Sequence, residues 1–243
     1  MLKYFSALIP RKLKLYYKRS FLNFLFRLAI EHKFKSKAGK FDEAEIAAEF
    51  LPEKVGFYID IGAGTPIEAS NTYLFYRRGW RGICIDPIAI NEKLHKVFRP
   101  HDKFLRLIVG NSLGRVKFFE FIPSGYSTTD QKAATELLKK QGVFLIHTRF
   151  IQGITLASIA PNVSPESATL LSIDAEGEDL DVLKSNDFKL FSPRVIICED
   201  YKIYSESVPS FDLDIFLGNF QYKLVKISGY SKIFVHRDYL DKI

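Results

Sequence analysis

Acids and glycines at the ends of apolar runs are the residues of this chain with chemistry to offer. Asp60 sits near the end of Phe57-Tyr58-Ile59-Asp60-Ile61 and is followed at once by Gly62 and Gly64. Asp86 closes Gly82 to Ile85, Asp174 closes Leu170 to Ile173, and Glu199 with Asp200 follows Arg194 to Cys198. An ionised carboxylate accepts hydrogen bonds and cannot donate, so these acids suit ligands that present hydroxyl or ammonium donors. The paired glycines allow a tight turn through dihedrals that other residues resist, and they let a ligand approach the backbone. Strand, acid and glycine turn together describe a nucleotide-type cofactor site. The glycine pattern also excludes cofactors. A dinucleotide fold wants a small residue three positions after Gly64, where this chain has Ile67 preceded by Pro66, and no Gly-Lys-Ser or Gly-Lys-Thr marks a phosphate loop.

Such residues need a parallel sheet to bring them to one edge. Ile83-Cys84-Ile85 is continuously apolar rather than alternating, which predicts a strand covered on both faces. Helices are expected from Asp42 through about Phe50, from Ser70 or Asn71 through Arg78 with Gly79 as its stop, over 89–99, from about Gln131 to Lys140, through Leu183 after the acid-rich turn Ala175 to Asp179, and from Ser210 to Leu217. Phe104 to Val109 reads as a third strand ending at Gly110 and Asn111, and Val116 to Phe121 as a short strand. Ile122 to Thr169 is a long insertion whose one histidine is His147; insertions at this edge commonly shape a substrate pocket. Tyr222 to Ile227 and Ile233 to His236 flank Ser228-Gly229-Tyr230-Ser231 as a terminal β-hairpin. The expected fold is α/β, a doubly wound seven-stranded mixed sheet with an antiparallel finish. Asp86 falls 24 residues beyond Gly62, where the second strand of a nucleotide-binding βαβ unit offers a carboxylate to ribose hydroxyls. A helix cap or turn acid before Pro87 is the plainer role for it.

Charge separates the chain into an arm, residues 1–40, and a body, 41–243. The arm holds 11 Lys or Arg and one acid, a net +10; the body holds 24 basic and 27 acidic residues, a net −3. The net +7 of the whole therefore says little about the body as a nucleic-acid binder. Leu13, Tyr17, Phe21, Phe24 and Leu28 form one helical stripe, and Lys12, Arg19, Asn23 and Arg27 another. This basic amphipathic helix over 11–30 is too short and too charged to span a bilayer; it either lies on an anionic membrane surface or packs across the domain. Cys84 and Cys198 lie in apolar runs without metal-ligand spacing and are expected to be reduced core thiols of a cytoplasmic protein.

The motifs match a known pattern. Asp60-Ile61-Gly62-Ala63-Gly64 resembles the first motif of class I S-adenosylmethionine-dependent methyltransferases. Ser70-Asn71-Thr72-Tyr73, Gly79-Trp80-Arg81-Gly82 and Ile85-Asp86-Pro87 are similar to the FkbM-type branch, as is Leu171 to Gly177 with Asp179, Leu180, Val182 and Leu183. The resemblance covers roughly residues 45–238 and leaves the basic arm outside. It implies a Rossmann-like methyltransferase fold with S-adenosyl-L-methionine as cofactor. Asp60, Gly62 and Gly64 would hold its methionine end, Asp86 its ribose, and the region of Gly110 and Asn111 its adenine, with Asn71 of the second motif a further cofactor-binding residue. It further implies O-methylation of a hydroxyl on a sugar, glycan or secondary metabolite. A sulfonium methyl is already activated, so alignment supplies much of the rate and a general base adds about 10²- to 10⁴-fold. Asp174 is the first candidate base or hydroxyl-orienting acid, followed by Glu176 and Glu199, with His147 as the alternative. Asp174, Glu199 and Asp200 could instead hold Mg²⁺, although no metal is expected. Competing readings are an RNA methyltransferase, which the acidic body argues against, and a non-catalytic module that binds a membrane or partner through its arm.

Overall fold

A computed structural model describes residues 41–164, 166–200, 202–203 and 210–241. Residues 1–40, with the basic amphipathic helix expected over 11–30, lie outside the described residues.

Apolar runs of five residues build the centre of the sheet. Strands β1 (Phe57–Ile61) and β2 (Arg81–Ile85) pair in parallel, as do β1 and β7 (Thr169–Ile173), and β7 with β8 (Val195–Glu199). β3 (Lys103–Leu105) adds in parallel beyond β2, while the hairpin β9 (Tyr222–Ser228) and β10 (Ser231–His236) closes the other side antiparallel to β8. The order is β3-β2-β1-β7-β8-β10-β9, a seven-stranded mixed sheet.

Both faces are covered, which is why the runs do not alternate. Ile59, Ile61, Ile85, Leu171, Ile173 and Ile196 point to one face, against Val182 and Leu183 of helix Asp179–Lys184 and Leu213 and Leu217 of helix Asp212–Gly218. Tyr58, Cys84, Leu170, Val195 and Ile197 point to the other, against Ala47 and Ala48 of helix Glu43–Glu49, Phe75 of helix Tyr73–Arg78, and Trp80. In the order of the chain these helices are α1 (Glu43–Glu49), α2 (Tyr73–Arg78), α3 (Ala89–Phe98), α4 (Gln131–Leu137), α5 (Asp179–Lys184) and α6 (Asp212–Gly218). Cys84 and Cys198 are free and buried. Among the described residues no helix is long and apolar enough to cross a membrane.

Two expectations need correction. Phe104 to Val109 is not one strand, because the chain leaves the main sheet after Leu105. Ile108–Val109 (β4) pairs instead in parallel with Gly153 and Ile154. The insertion, read as loop and helix, carries an eleven-residue strand, β6 (Phe144–Ile154), antiparallel to β5 (Gly114–Ile122). β4, β6 and β5 form a separate three-stranded sheet. β6 escapes sequence reading because it lacks a period of two: Phe144, Leu145 and Phe150 are exposed large apolar residues, and only Ile151 and Gly153 are buried.

Candidate active site

Register brings the acids together. Ile61 of β1 is aligned with Ile85 of β2 and with Ile173 of β7. The next residue of each strand, Gly62, Asp86 and Asp174, therefore emerges at the same edge. The edge is tied by backbone bonds: Gly62 and Ala63 donate to the Ile85 carbonyl at 2.9 and 3.1 Å, and Asp174 donates to the Ile61 carbonyl at 2.9 Å. A cleft of about 360 Å³ opens there between the main and the small sheet, within the size range of small-molecule sites. Gly62, Gly64, Asp86, Gly110, Asn111, Asp174 and Glu176 line it, and Ile85, Ile88, Val109, Val116 and Phe118 give it an apolar interior.

The glycine turn is required for two separate reasons. Gly62 has φ +72, and a Cβ there would lie 1.8 Å from the Asp174 carbonyl oxygen, so the close approach that forbids a side chain comes from the protein itself. Gly64 has φ +51 with no close neighbour, and its N–H donates to Asp86 Oδ2 at 3.1 Å. Asp86 is 6% exposed; its Oδ1 accepts the Ile88 N–H at 2.7 Å. Burial pushes its carboxyl up to about 6, against hydrogen bonds from Ile88, Asn91 and Gly64 that favour the ionised form.

Four site assignments are placed elsewhere than expected. Asp60 does not line the cleft. Strand alternation sends it to the Tyr58 and Cys84 face, where it accepts a bond from the Thr72 hydroxyl. Burial raises it to about 6, with the Arg99 guanidinium opposing. Asn71 is also outside the lining; its Nδ2 donates to Ser172 Oγ at 3.4 Å, on the strand beside β1. His147 is exposed on β6 opposite Glu120, away from the cleft, because its strand extends beyond the edge where the acids meet. Glu199 lies behind the lining at the end of β8 and is hydrogen-bonded to Asp174. Burial and then the charges of Asp174, Asp179 and Glu176 push its carboxyl well above the usual carboxylate range.

Asp200 turns away from this group. It lies 3.3 Å from Lys232 Nζ and accepts the Ser210 N–H at 2.8 Å, so it is not available to the Mg²⁺ set weighed above. Among the described residues no group of three or more His, Cys, Asp or Glu side chains is arranged to hold a metal ion.

Residues outside the candidate set read from the sequence hold the turn and the loop beside it. Arg99 is 1% exposed and donates to Asp102 at 2.7 Å, Thr72 at 2.9 Å, Tyr58 at 3.0 Å and Ser70 at 3.1 Å. It thereby clamps the segment after the glycine turn onto β1. His95 Nε2 lies 3.2 Å from the Gly64 carbonyl, and burial lowers its pKa to about 3, so the ring is neutral and donates there. Asp179, buried at the start of α5, accepts the Glu199 N–H at 3.2 Å and bonds to the backbone of Ala175 and Gly177, fixing the loop that carries Asp174 and Glu176. Nothing in the sequence sets this group apart: Arg99 closes α3, and an Arg and an Asp three apart, Arg99 and Asp102, read there as an ordinary helix end.

Sheet order, glycine turn and acid-lined edge define a Rossmann-like methyltransferase fold. The chain belongs to the FkbM methyltransferase family: the family model described as Methyltransferase FkbM domain matches residues 60–224. Comparisons with curated proteins and with solved structures give no match.

Proposed function

We propose that this protein is an S-adenosylmethionine-dependent O-methyltransferase acting on a hydroxyl of a sugar, glycan or secondary metabolite. The observation that carries the reading is the convergence of Gly62, Gly64, Asp86 and Asp174 on one cleft of about 360 Å³. The residues present suit the cofactor. The Gly64 backbone is open to a ligand, Asp86 offers a carboxylate to hydroxyl donors, and Ile88, Val109 and Phe118 provide an apolar wall for a flat base near Gly110 and Asn111. Asp60 and Asn71 act on the cofactor indirectly, by fixing β1 and the segment after the turn.

When bound, S-adenosylmethionine supplies a methyl group activated on a sulfonium centre. The protein's part is to bind, orient and accept a proton. Asp174, at the cleft and hydrogen-bonded to Glu199, is the first candidate to orient the acceptor hydroxyl and take its proton. Glu176, on the same wall, is the second candidate for hydroxyl contact. Incubation with methyl-labelled cofactor and a panel of sugars and glycosides tests the reaction. Label recovered in a methyl ether supports methylation of a hydroxyl; label recovered on nitrogen or carbon, or in a base-labile methyl ester, refutes it.

A further inference from the structure

Helix α3 presents a polar stripe to the glycine turn. Asn91 and His95 are buried and four residues apart, and Arg99 follows at the same interval, so the three stand one above another on a single face. A helix packed on a sheet ordinarily buries apolar residues on that face. Here each polar group has a partner at the site. Asn91 lines the cleft and is hydrogen-bonded to Asp86. Arg99 holds Ser70 and Thr72 beyond the turn. His95 lies between them, with its Nε2 3.2 Å from the Gly64 carbonyl.

Packing alone does not require an imidazole at this position. The ring lies against Phe104 with centroids 4.7 Å apart, a contact that phenylalanine would also make. Its Nδ1 is buried without a hydrogen-bond partner among the described residues, a loss that phenylalanine would avoid. What histidine adds is a donor. A carbonyl only accepts, so Nε2 carries the proton, and burial together with the Arg99 charge keeps the ring neutral.

That donor closes a circuit of hydrogen bonds. Gly64 sits at φ +51, and its N–H donates to Asp86 Oδ2 at 3.1 Å. Asp86 Oδ1 accepts the N–H of Ile88, the N-cap of α3, at 2.7 Å. The same helix returns through His95 to the Gly64 carbonyl. Gly64 and Asp86 are thus held to each other and to one helix, and a change at either is felt at the other.

We propose that His95 is a positioning residue for cofactor binding: by donating to the Gly64 carbonyl it sets the Gly64 turn and, through the Gly64 N–H, the Asp86 carboxylate. The proposal rests on the reading of the cleft as an S-adenosylmethionine site.

Calorimetric titration of the full chain with S-adenosylhomocysteine, as wild type, His95→Phe and His95→Gln, tests it. Glutamine carries an amide nitrogen about as far along the side chain as Nε2 and can donate to Gly64; phenylalanine keeps the ring and its packing and cannot. His95→Phe should bind at least about tenfold more weakly than wild type, and His95→Gln within about threefold of it. A role in packing alone predicts the reverse order. In the double variant, the losses from His95→Phe and Asp86→Asn should fall short of their sum. Wild-type affinity in His95→Phe, weaker binding by His95→Gln than by His95→Phe, or strict additivity overturns the proposal. Nitrogen NMR of histidine-labelled wild type tests it without any variant: His95 should be the neutral Nε2–H tautomer at neutral pH, and an Nδ1–H tautomer or a protonated ring overturns it. Absence of S-adenosylhomocysteine binding to folded wild type would instead count against the proposed function itself.

Discussion

Replacing Arg99 with Met removes the charge and keeps most of the volume. It leaves Asp102, fully buried with Arg99 as its ion-pair partner, dependent on the Tyr58 hydroxyl and the Gly82 N–H. It also strips Ser70 and Thr72 of their shared donor. Breaking a buried ion pair by removing one partner costs about 3–5 kcal/mol, against a total stability of roughly 5–15 kcal/mol for a domain. At roughly 2–4 °C per kcal/mol for a chain of this size, Tm should fall by about 6–20 °C. Asp102→Asn should also destabilise, and the double variant by less than the two single losses added, because both remove the same interaction. Since Arg99 opposes the rise in the Asp60 pKa, the Arg99→Met protein should keep Asp60 protonated to higher pH. Thermal unfolding of the three variants decides the matter. A Tm within 2 °C of wild type for Arg99→Met, at an uncertainty set by roughly 1 kcal/mol, or strict additivity in the double variant, would refute the network.

Asp86→Asn should weaken S-adenosylhomocysteine binding at least about tenfold, equivalent to about 1.4 kcal/mol, with the fold intact by circular dichroism. In the wild type, Asp86 and Asp60 both have their pKa raised to about 6. Hydroxyl donors favour the ionised carboxylate, so affinity should be full above about pH 7 and fall as pH drops through 6, while Asp86→Asn shows a shallower dependence; calorimetry at several pH values checks the sign. Gly62→Ala places a Cβ 1.8 Å from the Asp174 carbonyl at φ +72, and should give insoluble or strongly destabilised protein, whereas Gly64→Ala should fold and lose ligand affinity. Once an acceptor is in hand, Asp174→Asn should lower kcat by about 10²- to 10⁴-fold, and His147→Ala should leave it within twofold, a pair of outcomes that steady-state kinetics separates.

The parallel core of the fold was legible because burial on both faces leaves runs without alternation, each ending in an acid or glycine. The terminal hairpin was legible from the turn residues between two β-rich segments. Alternation also held information that the motif masked: Asp60 has the parity of Tyr58, so its side chain had to leave for the sheet face rather than the cleft. The switch of Ile108–Val109 to a second sheet left no trace, since an apolar run does not say which neighbour it pairs with. β6 was hidden by apolar residues at exposed positions. The Arg99 clamp joins positions up to 41 residues apart, and a single sequence carries no sign of such partners. Glu199 was placed correctly at a strand end, but its bond to Asp174 depends on two strand ends lying side by side.

Calorimetric titration of the purified protein with S-adenosylhomocysteine, with NAD⁺ as the control ligand, tests the central claim most directly. Saturable binding of the first with a Kd of about micromolar order, none of NAD⁺, and loss of that binding in Asp86→Asn are the predicted results. Absence of S-adenosylhomocysteine binding to folded protein, or unchanged affinity in Asp86→Asn, would contradict the assignment of the cleft.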